Sequence, residues 1–355
     1  MKIEGLEIVP YALRFREPYV TARGRLERRE LALVRLHAEG FVGLGEVAPL
    51  ALRGGAGLAE ILLELDRFAR AALEGADLDP ERPYELLNVC EECGVTLGRC
   101  AIELGLLDLA AKQRGEPVWR LLGAKRSDRV PCNATLVAGQ PAAVAESALR
   151  WAELGFGTFK LKVGVEGDVE QVQAVRDAVG TEAHLRVDAN GVWNREQAIA
   201  KLRALEPFEL ELAEQPAPTL EDLAAVRTKA RVPIAADESV ADLGEAQAAA
   251  DAQACDYVTV KIAKVGGIDR ARAIASVLPT YLSSALDGPV GIAAAAHLAQ
   301  VLPREGLAHG LATAELFADR ITTAECEVLN AALTPSDAPG LGVEIDERAL
   351  ERARI

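Results

Sequence analysis

The segment "GTFKLKVG", residues 157–164, places two lysines, Lys160 and Lys162, on either side of one leucine. On a β-strand, alternate side chains point the same way, so both ammonium groups would leave the same face, side by side. Like charges placed together disfavour each other's charged form. We therefore expect the two lysines to have a function, and residues further along the chain indicate what it is.

A regular alternation of strand and helix surrounds this segment from about residue 128 onward. Six candidate strands end on polar residues, at successive gaps of 26, 26, 23, 24 and 23 residues. Those residues are Lys162, Asp188, Glu214, Asp237, Lys261 and Ser284. Each gap is the length of one β/α unit, and the pattern has room for eight strands, from "VPCNATL" to "GLAHGLAT". The period predicts a parallel (β/α) barrel, a modified TIM barrel.

The segments outside the repeat predict a second domain. Residues 1–50 have strand-like apolar runs with a hairpin turn at Glu39–Gly40, and residues 56–122 change to helical spacing. We therefore predict an α+β capping domain over 1–122, completed by the tail 326–355, and a catalytic barrel over 123–325.

Composition narrows the range of partners. The net charge of −15 argues against nucleic acid and against an anionic membrane surface. No apolar run is long enough for a transmembrane span, and the N-terminus lacks the apolar stretch of a signal peptide. Six scattered cysteines, including a lone Cys90–Cys93 pair, are typical of reduced thiols in the cytoplasm. We expect a cytoplasmic protein that acts on a small molecule, and a homo-oligomer is possible.

Three of the polar strand ends are carboxylates on consecutive strands. In a (β/α) barrel, functional groups lie at the C-terminal ends of the strands, so Asp188, Glu214 and Asp237 would face one another. Unpaired, they would repel and raise one another's pKa. A hard divalent cation removes that conflict, and Mg²⁺ takes oxygen ligands. We predict a magnesium site and not a zinc site, because no His or Cys lies at these ends.

Lysines stand on both sides of the predicted metal, and they suggest a reaction. A carboxylate bound to Mg²⁺ makes the neighbouring carbon more acidic, and the metal stabilises the resulting enediolate. The base must be neutral near pH 7, and a second ammonium group beside it lowers its pKa. Lys160 is therefore expected to keep Lys162 unprotonated. Lys160, Lys162 and Lys261 are the predicted catalytic residues.

At these positions the sequence resembles the enolase superfamily, and within it the muconate lactonizing enzyme subgroup. The resemblance covers nearly the whole chain, and the matching motifs follow in family order. They are "GLGEVAPL", "AIELGLLDLAAKQRGEPVWRLLG", "TFKLKVG", "LRVDANGVW", "ELAEQP", "IAADES", "VTVKIAKVGGI" and "APGLGVEID". A lysine base acting with Mg²⁺ on an ene-diolate is the known pattern of that superfamily.

The resemblance implies roles for individual residues. Lys162 would be the base on one face of the substrate and Lys261 the group on the opposite face, with the three carboxylates as magnesium ligands. Arg186 would support a metal ligand or the substrate anion, although a structural ion pair is an equal alternative. Ser283 and Ser284 would bind substrate, and Lys264 is interpreted as a surface or packing residue.

Two further segments narrow the choice of substrate within the subgroup. "LSSALDGPVGIAAAAHLAQVLP" and "AHGLATAELFADRI" resemble the o-succinylbenzoate synthases, lyases that eliminate water in menaquinone biosynthesis. Dipeptide epimerases usually carry a D-x-D at the last barrel strand, which is absent from "LAHGLATAEL". N-succinylamino acid racemase, dipeptide epimerase and muconate cycloisomerase remain the alternatives. Residues 17–24, "EPYVTARG", fit the mobile capping loop of the synthases.

Two unrelated functions are also compatible with a barrel. A Schiff-base aldolase uses a lysine on a barrel strand, but it does not need three carboxylates on neighbouring strands. A non-catalytic binding or scaffold protein would be expected to lack the base or one of the ligands, and this sequence has them all.

Overall fold

The N-terminal part of the computed structural model is an antiparallel sheet packed on helices. The structure describes residues 1–21, 24–51 and 54–355. The sheet has the order β1-β2-β3. Its strands are β1 (Ile3–Thr21), β2 (Gly24–Ala38) and β3 (Phe41–Val47). The predicted turn between β2 and β3 is confirmed: Glu39 and Gly40 both have positive φ, at 49° and 83°.

Helices cover one face of this sheet. They are α1 (Leu58–Glu64), α2 (Arg70–Leu73), α3 (Pro83–Glu92), α4 (Arg99–Arg114) and α5 (Val118–Leu121), with a π-helical turn at Leu65–Ala69 between α1 and α2. Helix α4 lies directly against β3, and its residues from Arg99 to Ala111 are all buried. The close approach depends on glycine: a Cβ at Gly45 would lie 1.9 Å from the carbonyl oxygen of Ala101.

The middle of the chain forms a parallel sheet of the predicted kind. Its order is β11-β10-β9-β8-β7-β6-β5, so each strand pairs with the next in sequence. The strands are β5 (Ala134–Leu136), β6 (Thr158–Lys162), β7 (His184–Asp188), β8 (Leu210–Glu214), β9 (Ile234–Ala236), β10 (Tyr257–Val260) and β11 (Thr280–Leu282), preceded by a short β4 (Val130–Pro131).

The eighth predicted strand is reduced to two isolated bridges. His309 pairs with Cys132, just before β5, and Gly310 pairs with Ser283, just after β11; both bridges are parallel. They join the two edges of the seven-stranded sheet and close the ring. The fold is therefore a modified TIM barrel with an N-terminal α+β cap, as predicted.

Helices follow the barrel strands and form the outer layer. They are α6 (Pro141–Glu153), α7 (Asp168–Val179), α8 (Arg195–Leu205), α9 (Leu220–Arg227), α10 (Leu243–Asp251), α11 (Ile262–Val265), α12 (Ile268–Ala275) and α13 (Pro289–Leu298), with 3₁₀ turns at Glu206–Phe208 and Ala312–Leu316. Side chains cap the N-termini of several of these helices. At α8, Asn194 and Gln197 form a reciprocal capping box. None of the helices in the described part of the chain combines the length and the apolar character of a membrane span.

The C-terminal segment returns to the N-terminal sheet. It contains β12 (Thr322–Ala324), β13 (Val328–Leu329), β14 (Ala332–Leu333), β15 (Glu344–Ile345) and α14 (Glu347–Ala353). Strand β14 lies between β13 and β4. Arg35 of β2 forms an ion pair of 2.7 Å with Glu347, and Arg354 forms a bridge with Tyr11 of β1.

Two side chains of the cap hold the segment between β11 and α13. Glu46 of β3 accepts backbone N–H groups of Gly288, Val290 and Gly291 at 2.7, 3.3 and 3.2 Å. Arg29 of β2 donates to the carbonyl oxygens of Ala285 and Leu286, just before α13. We call Arg29 and Glu46 the cap clamp. It fixes the chain where it leaves the C-terminal end of β11.

The predicted loop at residues 17–24 is the tip of the hairpin between β1 and β2. Residues 22–23 lie outside the described residues. Residues 19–21 pair with residues 24–26, and residues 17–18 fall at an irregularity of the strand register. Phe15, nearby on β1, has its ring 5.0 Å from that of Phe317, which follows the eighth-strand position. The hairpin is therefore placed beside the C-terminal ends of the barrel strands.

Candidate active site

The lysines that the sequence predicts to be catalytic and the predicted metal-binding carboxylates meet at one end of the barrel. In the register of the sheet, Lys162 pairs with Asp188, and Asp188 pairs with Glu214. Asp237 and Lys261 each directly follow their strand, β9 and β10. Because the strands are parallel and neighbours, the side chains that end them face one small volume. All five are buried.

The lysines bind the carboxylates directly. Lys160 Nζ lies 2.9 Å from Asp188 Oδ2 and 2.6 Å from Glu214 Oε2. Lys162 Nζ lies 2.5 Å from the same Asp188 oxygen, and Lys261 contacts Asp237 Oδ2. Asp188 is therefore the shared partner of the two ammonium groups that the sequence "KLK" places side by side.

Burial and charge act in opposite directions on these acids. Burial raises the pKa of Asp188, but Lys160 and Lys162 outweigh it and hold that pKa well below the ordinary range. Burial and the neighbouring Asp188 raise the pKa of Glu214. Burial lowers the pKa of Lys160, and the carboxylates Asp188 and Glu214 more than reverse this, so its pKa is raised. The ion cluster therefore stabilises the charged form of Lys160.

The donor set fits a hard divalent cation by its chemistry. Asp188, Glu214 and Asp237 offer only oxygen ligands, which suit Mg²⁺. Glu214 Oε1 is buried and has no hydrogen-bond partner among the described residues. Across those residues no set of three or more His, Cys, Asp and Glu is arranged around a common point, because the ammonium groups lie between the carboxylates. Gathering the three acids around one ion would require Lys261 to release Asp237.

Models of two protein families match the chain. "Mandelate racemase / muconate lactonizing enzyme, N-terminal domain" matches residues 4–123, and "Enolase C-terminal domain-like" matches residues 143–349. The chain belongs to the muconate lactonizing enzyme subgroup of the enolase superfamily. Members of this superfamily are enzymes, and they include lyases, isomerases and epimerases.

Individual relatives within the superfamily have different reactions. The hydrophobic dipeptide epimerase of Enterococcus faecalis is 31% identical over 84% of this chain and 87% of its own length. The crystal structure of the dipeptide epimerase from that organism with Mg and L-Leu-L-Tyr has a TM-score of 0.90, is 29% identical, and covers 97% of this chain and 100% of its own.

Two other relatives catalyse different chemistry. The o-succinylbenzoate synthase of Thermobifida fusca is 42% identical, but the match spans only 54% of this chain and 61% of that protein. The crystal structure of muconate lactonizing enzyme from Pseudomonas fluorescens with muconolactone has a TM-score of 0.94 at 29% identity, covering 100% of this chain and 99% of that one. Relatives that share this fold are therefore named for different reactions.

The two predicted substrate-binding serines of this enolase-superfamily member have different surroundings. Ser284 accepts hydrogen bonds of 2.8 Å from the backbone of Asp287 and from the hydroxyl of Thr313, which brace the segment held by the cap clamp. Ser283 lies two residues after Tyr281, so it shares the face that points into the barrel. Ser283 therefore stays a prediction for substrate contact.

Arg186 lies below the predicted catalytic residues and not beside them. Its guanidinium forms an ion pair with Glu211, donates 2.6 Å to the carbonyl oxygen of Ala308, and lies 5.1 Å from the ring centroid of Tyr281. It lies two positions before Asp188 on β7, with only Val187 between them, so it points inward one layer closer to the N-terminal ends of the strands. The structure thus contains the ion pair that was the alternative for Arg186, and contact with the substrate anion stays a prediction.

Lys264 is closer to the site than the sequence indicated. Its Nζ lies 3.0 Å from Asp237 Oδ1 and also donates to the carbonyl oxygen of Asp237. Helix α11 turns the chain back directly after Lys261, which brings a residue three positions later to the same carboxylate. The three-residue spacing from Lys261 was the available signal. The contact with Asp237 corrects the interpretation of Lys264 as a surface or packing residue.

Proposed function

We propose that the protein removes the proton α to a substrate carboxylate and then eliminates water, as an o-succinylbenzoate synthase. The observation that carries the proposal is the placement of Lys162 and Lys261 at the two ends of a row of three buried carboxylates. Relatives with this reaction match the chain at 42% identity over part of its length, which supports the choice.

Asp188, Glu214 and Asp237 are the proposed ligands of a divalent cation, Mg²⁺. The bound ion would supply positive charge next to the substrate carboxylate as the α-proton leaves. The remaining chemistry belongs to the chain. Lys162, in its neutral form, takes the proton from carbon, and the carbon–hydrogen electron pair moves toward the carboxylate.

The second half of the reaction uses the same proton. The carbon–oxygen bond to the hydroxyl breaks, Lys162 returns its proton to that oxygen, and water leaves. The ring becomes aromatic, with no change in oxidation state overall. Lys261 carries a positive charge on the side of the substrate ring opposite Lys162, and its ammonium group interacts with the face of that ring. The cap and the hairpin beside the strand ends exclude water from the reacting carbon.

N-succinylamino acid racemisation is the second candidate, because the same two lysines could act on opposite faces of a carbon. Epimerisation of a dipeptide with a free amino group is less well supported. Residues 307–316 at the closing strand, "LAHGLATAEL", lack the D-x-D pair that would bind an ammonium group, and their one acidic residue is Glu315.

An activity comparison with the purified protein tests the proposal. The hydroxy-cyclohexadiene carboxylate bearing a succinyl chain is incubated with enzyme and Mg²⁺, and the rise in aromatic absorbance is followed. Deuterium exchange at the α-carbon of N-succinylamino acids is measured in parallel, with a dipeptide as a third substrate. We expect fast aromatisation. Brisk exchange on the amino acids without any aromatic product would replace the proposal with the racemase.

A further inference from the structure

Tyr281 lies inside the barrel, directly beneath Glu214. It belongs to β11, is 1% exposed, and its hydroxyl donates a hydrogen bond of 2.6 Å to Glu214 Oε2. The Thr259 hydroxyl donates to the Tyr281 oxygen at 2.7 Å. Because Thr259 already provides the donor to this oxygen, the tyrosine proton is directed at the carboxylate.

The ring of Tyr281 is fixed on several sides. It packs in a small apolar cluster with Leu212 and Ala235 from two other strands of the barrel. The Arg186 guanidinium lies over the ring, and Glu211 and the carbonyl oxygen of Ala308 hold that guanidinium in turn. The hydroxyl therefore has a set position relative to β8.

This arrangement makes the two oxygens of Glu214 unequal. Oε2 contacts both Tyr281 and Lys160, whose Nζ lies 2.6 Å away. Oε1 is buried without a hydrogen-bond partner among the described residues, and Lys261 Nζ lies 4.0 Å from it. A buried carboxylate oxygen without a partner is costly, so a ligand for it is expected.

We propose that Tyr281 is a positioning residue for the metal site: its hydroxyl holds Glu214 Oε2 and so presents Oε1 to the divalent cation. The inference rests on the proposed function, since it takes Glu214 as a metal ligand. Residues that hydrogen-bond a metal-ligating side chain orient it, and their loss costs about 10- to 100-fold in metal affinity. Thr259 acts one step further away, by orienting the tyrosine hydroxyl.

Metal binding, measured without substrate, tests this role. Metal-free protein is titrated with Mn²⁺, free Mn²⁺ is followed by electron paramagnetic resonance, and Mg²⁺ is added as competitor. Tyr281→Phe keeps the ring and removes the hydroxyl. We expect its dissociation constant for Mn²⁺ to rise by about 10- to 100-fold. Tyr257→Phe is the matched control: it deletes the same group from a tyrosine packed against the same apolar cluster, and its affinity should stay that of the wild type.

The outcomes separate the inference from the proposal beneath it. If the wild type binds Mn²⁺ and Tyr281→Phe binds it equally well, Tyr281 only fills space and the inference is wrong. If neither the wild type nor Glu214→Gln binds Mn²⁺, the assignment of the metal site is wrong and the inference about Tyr281 is wrong with it. Melting temperatures in EDTA show whether Tyr281→Phe is folded. Should it unfold, Thr259→Val replaces it, with weakened Mn²⁺ binding again expected and unchanged binding contradicting the role.

Discussion

At the level of single residues, Lys162 and Lys261 differ in the carboxylates that they contact. Lys162 binds Asp188 at one end of the row, and its Nζ also lies 3.1 Å from Asn190 Oδ1. Lys261 binds Asp237 at the other end. A substrate between them would meet one lysine on each face. Dehydration needs one base, whereas racemisation needs two, because the proton must leave one face and return on the other.

Substitution of the two lysines separates these reactions. Lys162→Ala should lower the rate of any reaction by about 10²- to 10⁴-fold, because it removes the base. Lys261→Arg keeps a positive charge but cannot act as a base. We expect it to retain measurable aromatisation of the diene and to lose α-deuterium exchange on N-succinylamino acids. Equal loss of both activities in Lys261→Arg would show that Lys261 takes part in proton transfer in either reaction.

At the level of elements, the cap depends on the contact between β3 and α4. Gly43 and Gly45 point at the helix, and a Cβ on them would lie 2.2 and 1.9 Å from the carbonyl oxygens of Gly105 and Ala101. Those obstacles are backbone atoms of a buried helix, which cannot rotate away as a side chain can. The same strand carries Glu46 to the barrel, so the spacing of β3 and α4 also sets the position of the cap clamp.

Gly45→Ala should therefore destabilise the protein although it adds only one methyl group. Overpacking a core typically costs about 1–3 kcal/mol of unfolding free energy, and we expect the upper part of that range. Chemical denaturation followed by far-UV circular dichroism measures the effect. Gly5→Ala, in β1 of the same sheet, is the control, since nothing lies within 4 Å of its added Cβ. Equal stability of the two variants would contradict the packing argument.

At the level of the whole molecule, the cap and the barrel share one buried core. A single apolar cluster runs from Val9 and Leu31 in the cap through the barrel to Leu350 near the C-terminus. The cap clamp adds polar contacts across the same junction. Burial and the neighbouring Asp287 raise the pKa of Glu46 from 4.5 to about 7, although Tyr11 and backbone N–H groups act in the opposite direction.

The raised pKa of Glu46 links stability to pH. The folded protein keeps this proton where the unfolded chain has lost it, so the stabilisation is complete below about pH 4.5 and is lost as pH rises through about 7. The contribution is on the order of 3 kcal/mol. We expect Glu46→Gln to reduce the fall in melting temperature between pH 5.5 and pH 8, and exposed Glu153→Gln to leave it unchanged. A wild-type pH profile in Glu46→Gln would rule out Glu46 as the titrating group.

The barrel, the α+β cap and the row of lysines and carboxylates at the strand ends could be predicted without the structure. Strand alternation and the β/α period are local properties, and parallel neighbours bring their ends together without further information. Lys160, Lys162, Asp188, Glu214, Asp237 and Lys261 could therefore be grouped by position in the repeat alone.

The residues that surround that row became visible only in the folded chain. Arg186 reaches Ala308 across 122 residues, and Tyr281 reaches Glu214 across 67. Such contacts depend on how the curled sheet closes and on which layer of the barrel a side chain enters, and no spacing in the sequence encodes them. The same holds for the cap clamp, where Glu46 meets Gly288 across 242 residues. Local periodicity fixes which residues end the strands, whereas packing between distant segments fixes the residues that hold them in place.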